Sequence, residues 1–276
     1  MAMDYFEYLR KDKMPHIWCP GCGHGTIVKS ILRAIAKMGW NKDDVVVVSG
    51  IGCSSRTPGY LDFNTLHTTH GRSLAFATGI KVANPRLHVV VVAGDGDALA
   101  IGGNHFIHAC RRNLNMSLIV YNNNIYGMTG GQASPTTFKG ARGTTAPYGA
   151  IEDPFDVCAM AQAAGATFVG RALDLDAVAM DRVILAALQN PGFSVVDAWS
   201  QCTTYFGRQN RWGSASDMMD RYKEMMYNVK AADKMTPEQK AGKYPLGVLH
   251  QAQRPEFCAE YDKLIASLRR PEGERS

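Results

Sequence analysis

Short apolar runs alternate along the chain with segments of helical periodicity. Runs rich in β-branched residues and bounded by turn residues are typical of strands buried on both faces of a sheet. By this criterion the sequence predicts five strands, at residues 45–48, 88–93, 117–121, 166–169 and 193–197. Apolar spacing of the helical kind predicts three principal helices, at residues 26–39, 104–113 and 173–190.

Strands that alternate with helices indicate an α/β fold, with a doubly wound and mostly parallel sheet. Such sheets bind ligands at the carboxyl ends of their strands. The segments GIGC, GDG, NNN and SQC each follow the end of a predicted strand. Gly and Asn are common in any turn, but these turns also carry thiols and a carboxylate. We therefore expect one site at this edge of the sheet.

The composition changes near Arg208, after which Met, Lys, Asp and Glu dominate. Residues 214–234 have the spacing of a surface helix, and residues 244–249 (YPLGVL) have that of a short extended segment. The sequence thus predicts a main domain at residues 1–207. Residues 208–276 are predicted to be a C-terminal extension that packs on this domain or on a partner.

Composition excludes several classes of protein. With 46% hydrophobic residues among 276, the chain can bury a core and is not globally disordered. Its longest aliphatic runs fall far short of the roughly 20 residues of a membrane span. The first residues lack the apolar stretch of a secretory signal, so we expect a cytoplasmic protein. A net charge of +5, without a known RNA-binding or zinc-finger pattern, gives no reason to expect nucleic acid as a partner.

The seven cysteines do not suggest a disulfide framework, since cytoplasmic thiols stay reduced and seven cannot pair completely. Cys19 and Cys22 form a CxxC turn, and Cys53 and Cys202 lie in strand-end turns. A thioredoxin-like pair is disfavoured because no strand precedes the CxxC. A zinc site and an iron–sulfur cluster both need four such ligands and both remain open. The other three cysteines are predicted to be small buried hydrophobes: Cys110, Cys158 and Cys258.

The GDG turn at residues 94–96 lacks both the dinucleotide fingerprint and the P-loop pattern. Its glycines let a phosphate approach the backbone, and its carboxylate suits Mg²⁺. The asparagines at 122–124 end the next predicted strand, with 25 residues between Gly96 and Asn122. Together the two turns resemble the diphosphate-binding motif of thiamine-diphosphate enzymes. The resemblance implies Mg²⁺ ligation by Asp95, Asn123 and the carbonyl of Ile125, with Gly96 and Asp97 against the diphosphate.

The full set of motifs, over residues 15–210, resembles the β subunits of 2-oxoacid:ferredoxin oxidoreductases. The segments that carry it are WCPGCGHG, SGIGCSSR, HTTHGR, GDGDALAIGGNHFIHACRRN, NNNIYGMTGGQ and SQCTTY. The resemblance implies that Cys19, Cys22, Cys53 and Cys202 hold one [4Fe–4S] cluster, which makes zinc much the weaker reading. It also implies contacts to thiamine diphosphate from several residues: Ile51, Gly52, Cys53, Ser54, His70, Gly127 and Met128.

The implied activity is coenzyme A-dependent oxidative decarboxylation of a 2-oxoacid, with electrons passing singly through the cluster to ferredoxin and with possible reversal. The segments YPLGVL and RPEF resemble two-subunit members, which favours 2-oxoglutarate and hence succinyl-CoA and CO₂ as products. Pyruvate or a branched-chain 2-oxoacid is the alternative substrate. A non-redox thiamine-dependent decarboxylase subunit with structural zinc, or a non-catalytic metal-binding assembly subunit, is the alternative function.

One part of the implied active site is missing. Thiamine enzymes activate the cofactor with a glutamate from a second domain, and this chain is too short to hold both domains. We therefore expect the glutamate to come from an α subunit, in an αβ or (αβ)₂ assembly. Arg56 is a candidate contact for the substrate carboxylate, although an arginine at the surface or an interface would explain it as well.

Overall fold

A computed structural model describes residues 3–268 and shows one eight-stranded sheet with helices on both faces. The strands are β1 Val45–Ser49, β2 Asn64–His67, β3 His88–Gly94, β4 Met116–Asn122, β5 Phe168–Leu173, β6 Phe193–Trp199, β7 Met226–Asn228 and β8 Tyr244–Gln251. The helices are α1 His24–Met38, α2 Thr57–Tyr60, α3 Ser73–Ala83, α4 Gly103–Arg112, α5 Val157–Ala163, α6 Ala177–Gln189, α7 Arg208–Asn210, α8 Ala215–Glu224, α9 Pro237–Lys240 and α10 Phe257–Leu268.

The strand order is β2-β1-β3-β4-β6-β5-β8-β7, and every pair from β2 to β5 is parallel. The prediction of a doubly wound, mostly parallel sheet is therefore confirmed. All five predicted strands are present, although the fourth, predicted at residues 166–169, lies at Phe168–Leu173. Strand β2 was not predicted because it lies at the edge of the sheet and its four residues are half-buried or exposed, so it has no apolar run.

Alternate residues of each central strand enter two separate cores. Val47 and Val90 pack against α1 and α6, whereas Val46 and Val91 pack against α3, α4, α5 and α10. Burial of both faces explains why these strands are continuous apolar runs rather than alternating ones.

The region after Arg208 differs in part from the sequence prediction. The expected surface helix at residues 214–234 ends at Glu224, and the chain then forms β7. The helix begins at a capping box, in which Ser214 and Asp217 each bond the other's backbone N–H. The extended segment at 244–249 lies in β8, which pairs antiparallel with β5. Division of the chain at residues 207 and 208 stays a prediction, and residues 1–2 and 269–276 lie outside the described part.

Two short π-helices follow the sheet edge where the motifs lie. One spans Asp97–Ile101, directly after the GDG turn, and the other spans Thr203–Gly207, directly after Cys202. π-Helical turns are rare and often lie at functional sites. Among the described residues, no helix is long and apolar enough to cross a membrane.

Candidate functional site

A cavity opens at the carboxyl ends of β1, β3 and β4, where the sequence placed the site. Its walls include twelve residues that the resemblance had assigned to thiamine diphosphate or Mg²⁺: Ile51, Gly52, Cys53, Ser54, His70, Asp95, Gly96, Asp97, Asn123, Ile125, Gly127 and Met128. The parallel sheet brings these residues together because four loops leave the same edge. We refer to this space as the diphosphate cavity.

Asp95 is the carboxylate at the base of this cavity and is only 2% exposed. The hydroxyls of Ser134 and Thr136 each donate to its Oδ2 at 2.5 Å. Burial raises the pKa of this carboxyl to about 6, in opposition to the two hydroxyl donors, which lower it. A buried carboxylate held at one oxygen by two fixed donors is oriented by the protein itself.

Asp97 lies on the other wall of the cavity and is also buried. Its Oδ1 accepts from the backbone N–H groups of Gly71 (2.7 Å) and Ile51 (3.3 Å), and lies 2.6 Å from Nδ1 of His70. Its Oδ2 has no partner. A Cβ at Gly50 would lie 2.1 Å from that oxygen, so only glycine allows this close approach. The contacts tie together the loops that follow β1, β2 and β3.

The asparagine run closes the third side of the cavity. Asn123 is buried, and its Oδ1 accepts from the backbone N–H of Ile125 at 3.3 Å. The hydroxyl of Tyr126 donates to the carbonyl of Gly96 at 3.2 Å. A Cβ at Gly96 would lie 2.2 Å from the Tyr126 ring, so the GDG turn and the asparagine loop meet at a position that only glycine fits.

A second cavity, of about 160 Å³, adjoins the first. All four cysteines of the predicted metal set line it: Cys19, Cys22, Cys53 and Cys202. Trp18 and Met128 supply apolar walls, and the indole N–H of Trp18 donates to the carbonyl of Cys53 at 2.8 Å. We refer to this space as the thiol cavity. The two cysteines of the CxxC turn and the two remote cysteines, which the sequence predicted to form one metal site, therefore line the same cavity.

Burial raises the pKa of two of these thiols, Cys22 to about 12 and Cys53 to about 11, and it raises that of Cys202 as well. Metal coordination therefore has to displace their protons. Between residues 3 and 268, no group of three or more His, Cys, Asp or Glu side chains is close enough to hold a metal ion. The thiols thus surround a shared space without converging on one point.

The two cavities share a wall formed by five residues: His24, Cys53, Asn123, Gly127 and Met128. A Cβ at Gly127 would lie 3.4 Å from the sulfur of Cys53 and 3.7 Å from that of Cys202. His24 is 1% exposed, its ring packs edge-on against Tyr121, and burial lowers its pKa to about 3. The shared wall thus includes a neutral imidazole and a glycine that lies close to two of the sulfurs.

Arg56 lies outside both cavities. Its Nη2 is 2.9 Å from Nε2 of His67, and both side chains line a separate surface groove. Its proposed contact with a substrate carboxylate stays a prediction. The three remaining cysteines lie in the core beneath α3, α4 and α5, away from the thiol cavity: Cys110, Cys158 and Cys258.

Sequence reasoning missed four side chains that the geometry makes prominent. His24 follows the CxxC motif and Tyr126 follows the asparagine run, so each lay inside a motif but received no role. Ser134 and Thr136 lie in a loop of ordinary polar composition, and no local signal marked them. Their role is visible only because the loop folds back onto Asp95.

Known proteins are similar to this chain in both sequence and structure. Residues 46–198 match the family described as "Thiamine pyrophosphate enzyme, C-terminal TPP binding domain". The chain is 52% identical to 2-oxoglutarate synthase subunit KorB of Methanothermobacter marburgensis, over 92% of this chain and 89% of the relative. It is 50% identical to the KorB subunit of Methanocaldococcus jannaschii, over 95% of this chain and 97% of the relative. The chain belongs to the KorB family.

A solved structure of 2-oxoglutarate:ferredoxin oxidoreductase from Magnetococcus marinus superposes on this KorB-family chain with a TM-score of 0.86 and 35% identity. The match covers 96% of this chain and 91% of the other. That structure holds 2-oxoglutarate, coenzyme A and succinyl-CoA. The resemblance inferred from the motifs to the β subunits of 2-oxoacid:ferredoxin oxidoreductases is thereby confirmed.

Proposed function

We propose that this protein is the β subunit of a 2-oxoglutarate:ferredoxin oxidoreductase that works in the cytoplasm, where thiols stay reduced. The reaction converts 2-oxoglutarate and coenzyme A into succinyl-CoA and CO₂, and it releases one proton and two electrons. The electrons reduce two molecules of oxidised ferredoxin, one each. The observation that carries the proposal is the shared wall between a cavity suited to thiamine diphosphate and a cavity lined by four thiols.

The residues of the diphosphate cavity fit thiamine diphosphate with Mg²⁺. Oxygen donors suit Mg²⁺, and Asp95 and Asn123 supply a carboxylate and an amide beside the backbone of Ile125. The hydroxyl of Ser54 is buried without a partner and lines the same cavity. Unsatisfied buried polar groups are rare in folded proteins, so this donor supports a phosphate-bearing ligand.

When bound, thiamine diphosphate supplies the electron sink that decarboxylation of a 2-oxoacid requires. The protein holds and orients that cofactor. Asp97 fixes the loops after β1 and β2 through the N–H groups of Ile51 and Gly71. Gly96 keeps the GDG turn against Tyr126. These contacts hold the cavity in one shape before any ligand arrives, which is how positioning lowers a barrier.

The residues of the thiol cavity fit a [4Fe–4S] cluster better than zinc. Zinc draws its thiolates to within about 2.3 Å of a single point, whereas the four cysteines surround a cavity of about 160 Å³. A four-iron cluster takes one thiolate at each of four corners. It can also accept one electron at a time, which zinc cannot do.

A partner α subunit is needed to complete the active site. The part of the chain that the structure describes places no glutamate in the diphosphate cavity. Apolar side chains on the elements that form it are exposed: Met128, which lines the cavity, at 44%, Ile101, at the end of the π-helix after the GDG turn, at 50%, and Ile151, in the loop after β4, at 86%. Exposed apolar groups around an incomplete site are typical of a subunit interface. We infer that the α subunit covers these side chains and brings the activating glutamate, in an αβ or (αβ)₂ assembly.

The test is anaerobic purification of the chain with and without its α subunit. The complex should be brown, should bleach with dithionite, and should reduce methyl viologen only with both 2-oxoglutarate and coenzyme A. Colourless protein with one zinc per chain would favour the non-redox decarboxylase. Absence of bound thiamine diphosphate and Mg²⁺ would favour a non-catalytic assembly subunit, and strong oxidation by the isolated chain would contradict the need for a partner.

A panel of substrates tests the choice of 2-oxoacid. We expect 2-oxoglutarate to exceed pyruvate and branched-chain 2-oxoacids in kcat/KM. If Arg56 binds the substrate carboxylate, an Arg56→Ala variant should have a raised KM for 2-oxoglutarate. An unchanged KM would show that Arg56 does not make this contact.

A further inference from the structure

A basic groove of about 580 Å³ lies on the surface beside the thiol cavity. Three cationic side chains line it, those of Arg10, Lys13 and Arg56, together with His67, and none of its described lining residues is acidic. We refer to this feature as the basic groove. Apart from the substrate contact proposed for Arg56, none of the steps assigned to the two cavities uses the basic groove.

The cationic side chains of the groove are not neutralised by strong ion pairs. Arg10 donates to the carbonyl of Phe63 and to the hydroxyl of Thr65 rather than to a carboxylate. Arg56 lies against His67, and its Nε is buried without a hydrogen-bond partner. Lys13 contacts its neighbour Asp12 at 2.7 Å, but both side chains are more than half exposed. An exposed pair of this kind is weak, so the groove keeps a net positive potential.

The groove is adjacent to the thiol cavity. Ile17 lines both the groove and the thiol cavity, whereas the groove and the diphosphate cavity have no lining residue in common. Ile17 is 65% exposed and is held by the hydroxyl of Tyr60, which accepts from its backbone N–H at 2.9 Å. Cys19, two residues further on, is exposed as well. Both residues connect the groove to the thiol cavity along the surface.

We propose that the basic groove and the apolar side chain of Ile17 form the docking surface for ferredoxin, an acidic one-electron carrier. This inference rests on the proposed function and adds to it the surface at which electrons leave the protein. A cationic surface beside a redox site raises the association rate of an anionic partner and fixes its orientation. An anionic substrate such as coenzyme A would be needed with any electron acceptor, so a comparison of two acceptors distinguishes it from ferredoxin.

The experiment uses the αβ complex and compares ferredoxin with methyl viologen, a small cationic acceptor that needs no acidic docking surface. We expect Lys13→Glu to raise the KM for ferredoxin at least tenfold at low salt, and to leave kcat with methyl viologen within twofold. Arg10→Glu should act more strongly but removes bonds to Phe63 and Thr65. Lys13→Glu therefore separates docking from folding.

Lys37→Glu is the matched control, since Lys37 is exposed on α1 and does not line the groove. It should leave the KM for ferredoxin unchanged. Raising the salt concentration should weaken ferredoxin reduction by the wild type more than by Lys13→Glu.

Three results would overturn the inference. One is a KM for ferredoxin in Lys13→Glu equal to that of the control. Another is equal loss with both acceptors, and the third is failure of Lys13→Glu to assemble with the α subunit, which would make the groove a subunit interface. Failure of the proposed function is a different outcome, in which the wild-type complex reduces neither acceptor with 2-oxoglutarate.

Discussion

The diphosphate cavity and the thiol cavity share a wall but are stabilised in different ways. In the first, polar groups already hold one another. Two hydroxyls fix Asp95, and two backbone N–H groups fix Asp97. In the second, the walls are largely apolar, and the buried thiols of Cys22 and Cys53 have pKa values raised by desolvation. The protein builds the first cavity by itself, whereas the proposed metal cluster would complete the second.

This difference has a chemical reason. A diphosphate with Mg²⁺ binds reversibly and gains from donors that are oriented in advance. A cluster forms covalent bonds to thiolates, and its affinity has to exceed the cost of removing protons from buried thiols. We therefore expect changes in the thiol cavity to act in an all-or-none manner and changes in the diphosphate cavity to act in proportion to the contact removed.

The largest effect is expected from Cys202→Ala. Loss of one thiolate should prevent assembly of a stable four-iron cluster, so reduction of both ferredoxin and methyl viologen should fall about 1,000-fold or more. Iron content and visible absorbance of the anaerobic complex provide the measurement. Cys258→Ala is the control, because Cys258 is a buried cysteine in the core beneath α3. A Cys202→Ala complex with full iron content would refute the ligand assignment.

The next effect in size is expected from Gly96→Ala. The new Cβ would lie 2.2 Å from the Tyr126 ring, so either the ring or the GDG turn has to move. Affinity for thiamine diphosphate with Mg²⁺ should fall by about 100-fold or more, measured by calorimetric titration, since a misplaced turn disturbs every contact it makes. Gly103→Ala is the matched control, since a Cβ there meets no atom within 4 Å. Equal affinity in the two variants would show that the turn is not rigid.

The sequence predicted the strand-end motifs well because each lies within a few residues of a strong apolar run. The runs at 45–48 and 88–93 fix where GIGC and GDG leave the sheet, and a parallel sheet then fixes that they meet. Residues that depend on a loop folding back could not be found in this way. Thr136 lies 14 residues after β4, and its bond to Asp95 spans 41 positions. Strand β2 was missed because an edge strand needs no apolar run.

A moderate effect is expected from Thr136→Val, which removes one donor to Asp95 and keeps the shape of the side chain. A hydrogen bond to a charged group contributes about 1.5–3 kcal/mol, so the Kd for thiamine diphosphate with Mg²⁺ should rise at least about tenfold. At saturating cofactor kcat should stay within about threefold, because Thr136 acts by positioning Asp95. Thr78→Val, which removes a bond to the carbonyl of Leu74 within α3, is the control. A fall in kcat alone would contradict a positioning role.

The smallest effect concerns stability rather than activity. Asp174 packs behind the thiol cavity, where a Cβ at Gly23 would lie 1.4 Å from its Oδ2. That oxygen is buried without a hydrogen-bond partner, as Oδ2 of Asp97 is, whereas Oδ2 of Asp95 accepts from two hydroxyls. Burial raises the pKa of Asp174 to about 7 from an ordinary value of 3.8. The thiol cavity thus has behind it a buried carboxyl group with one unsatisfied oxygen.

A raised carboxyl pKa destabilises the folded state once the unfolded chain ionises. The cost is absent below about pH 4, grows until the folded carboxyl ionises near pH 7, and is constant above. Asp174→Asn should therefore stabilise the protein more at pH 8 than at pH 5, by about 3 kcal/mol. The measurement is the unfolding midpoint of each variant at both pH values, with the exposed Asp220→Asn as control. An equal gain at pH 5 and pH 8 would mean that Asp174 is ionised over this whole range, and the thiol side would then be as well satisfied as the diphosphate side.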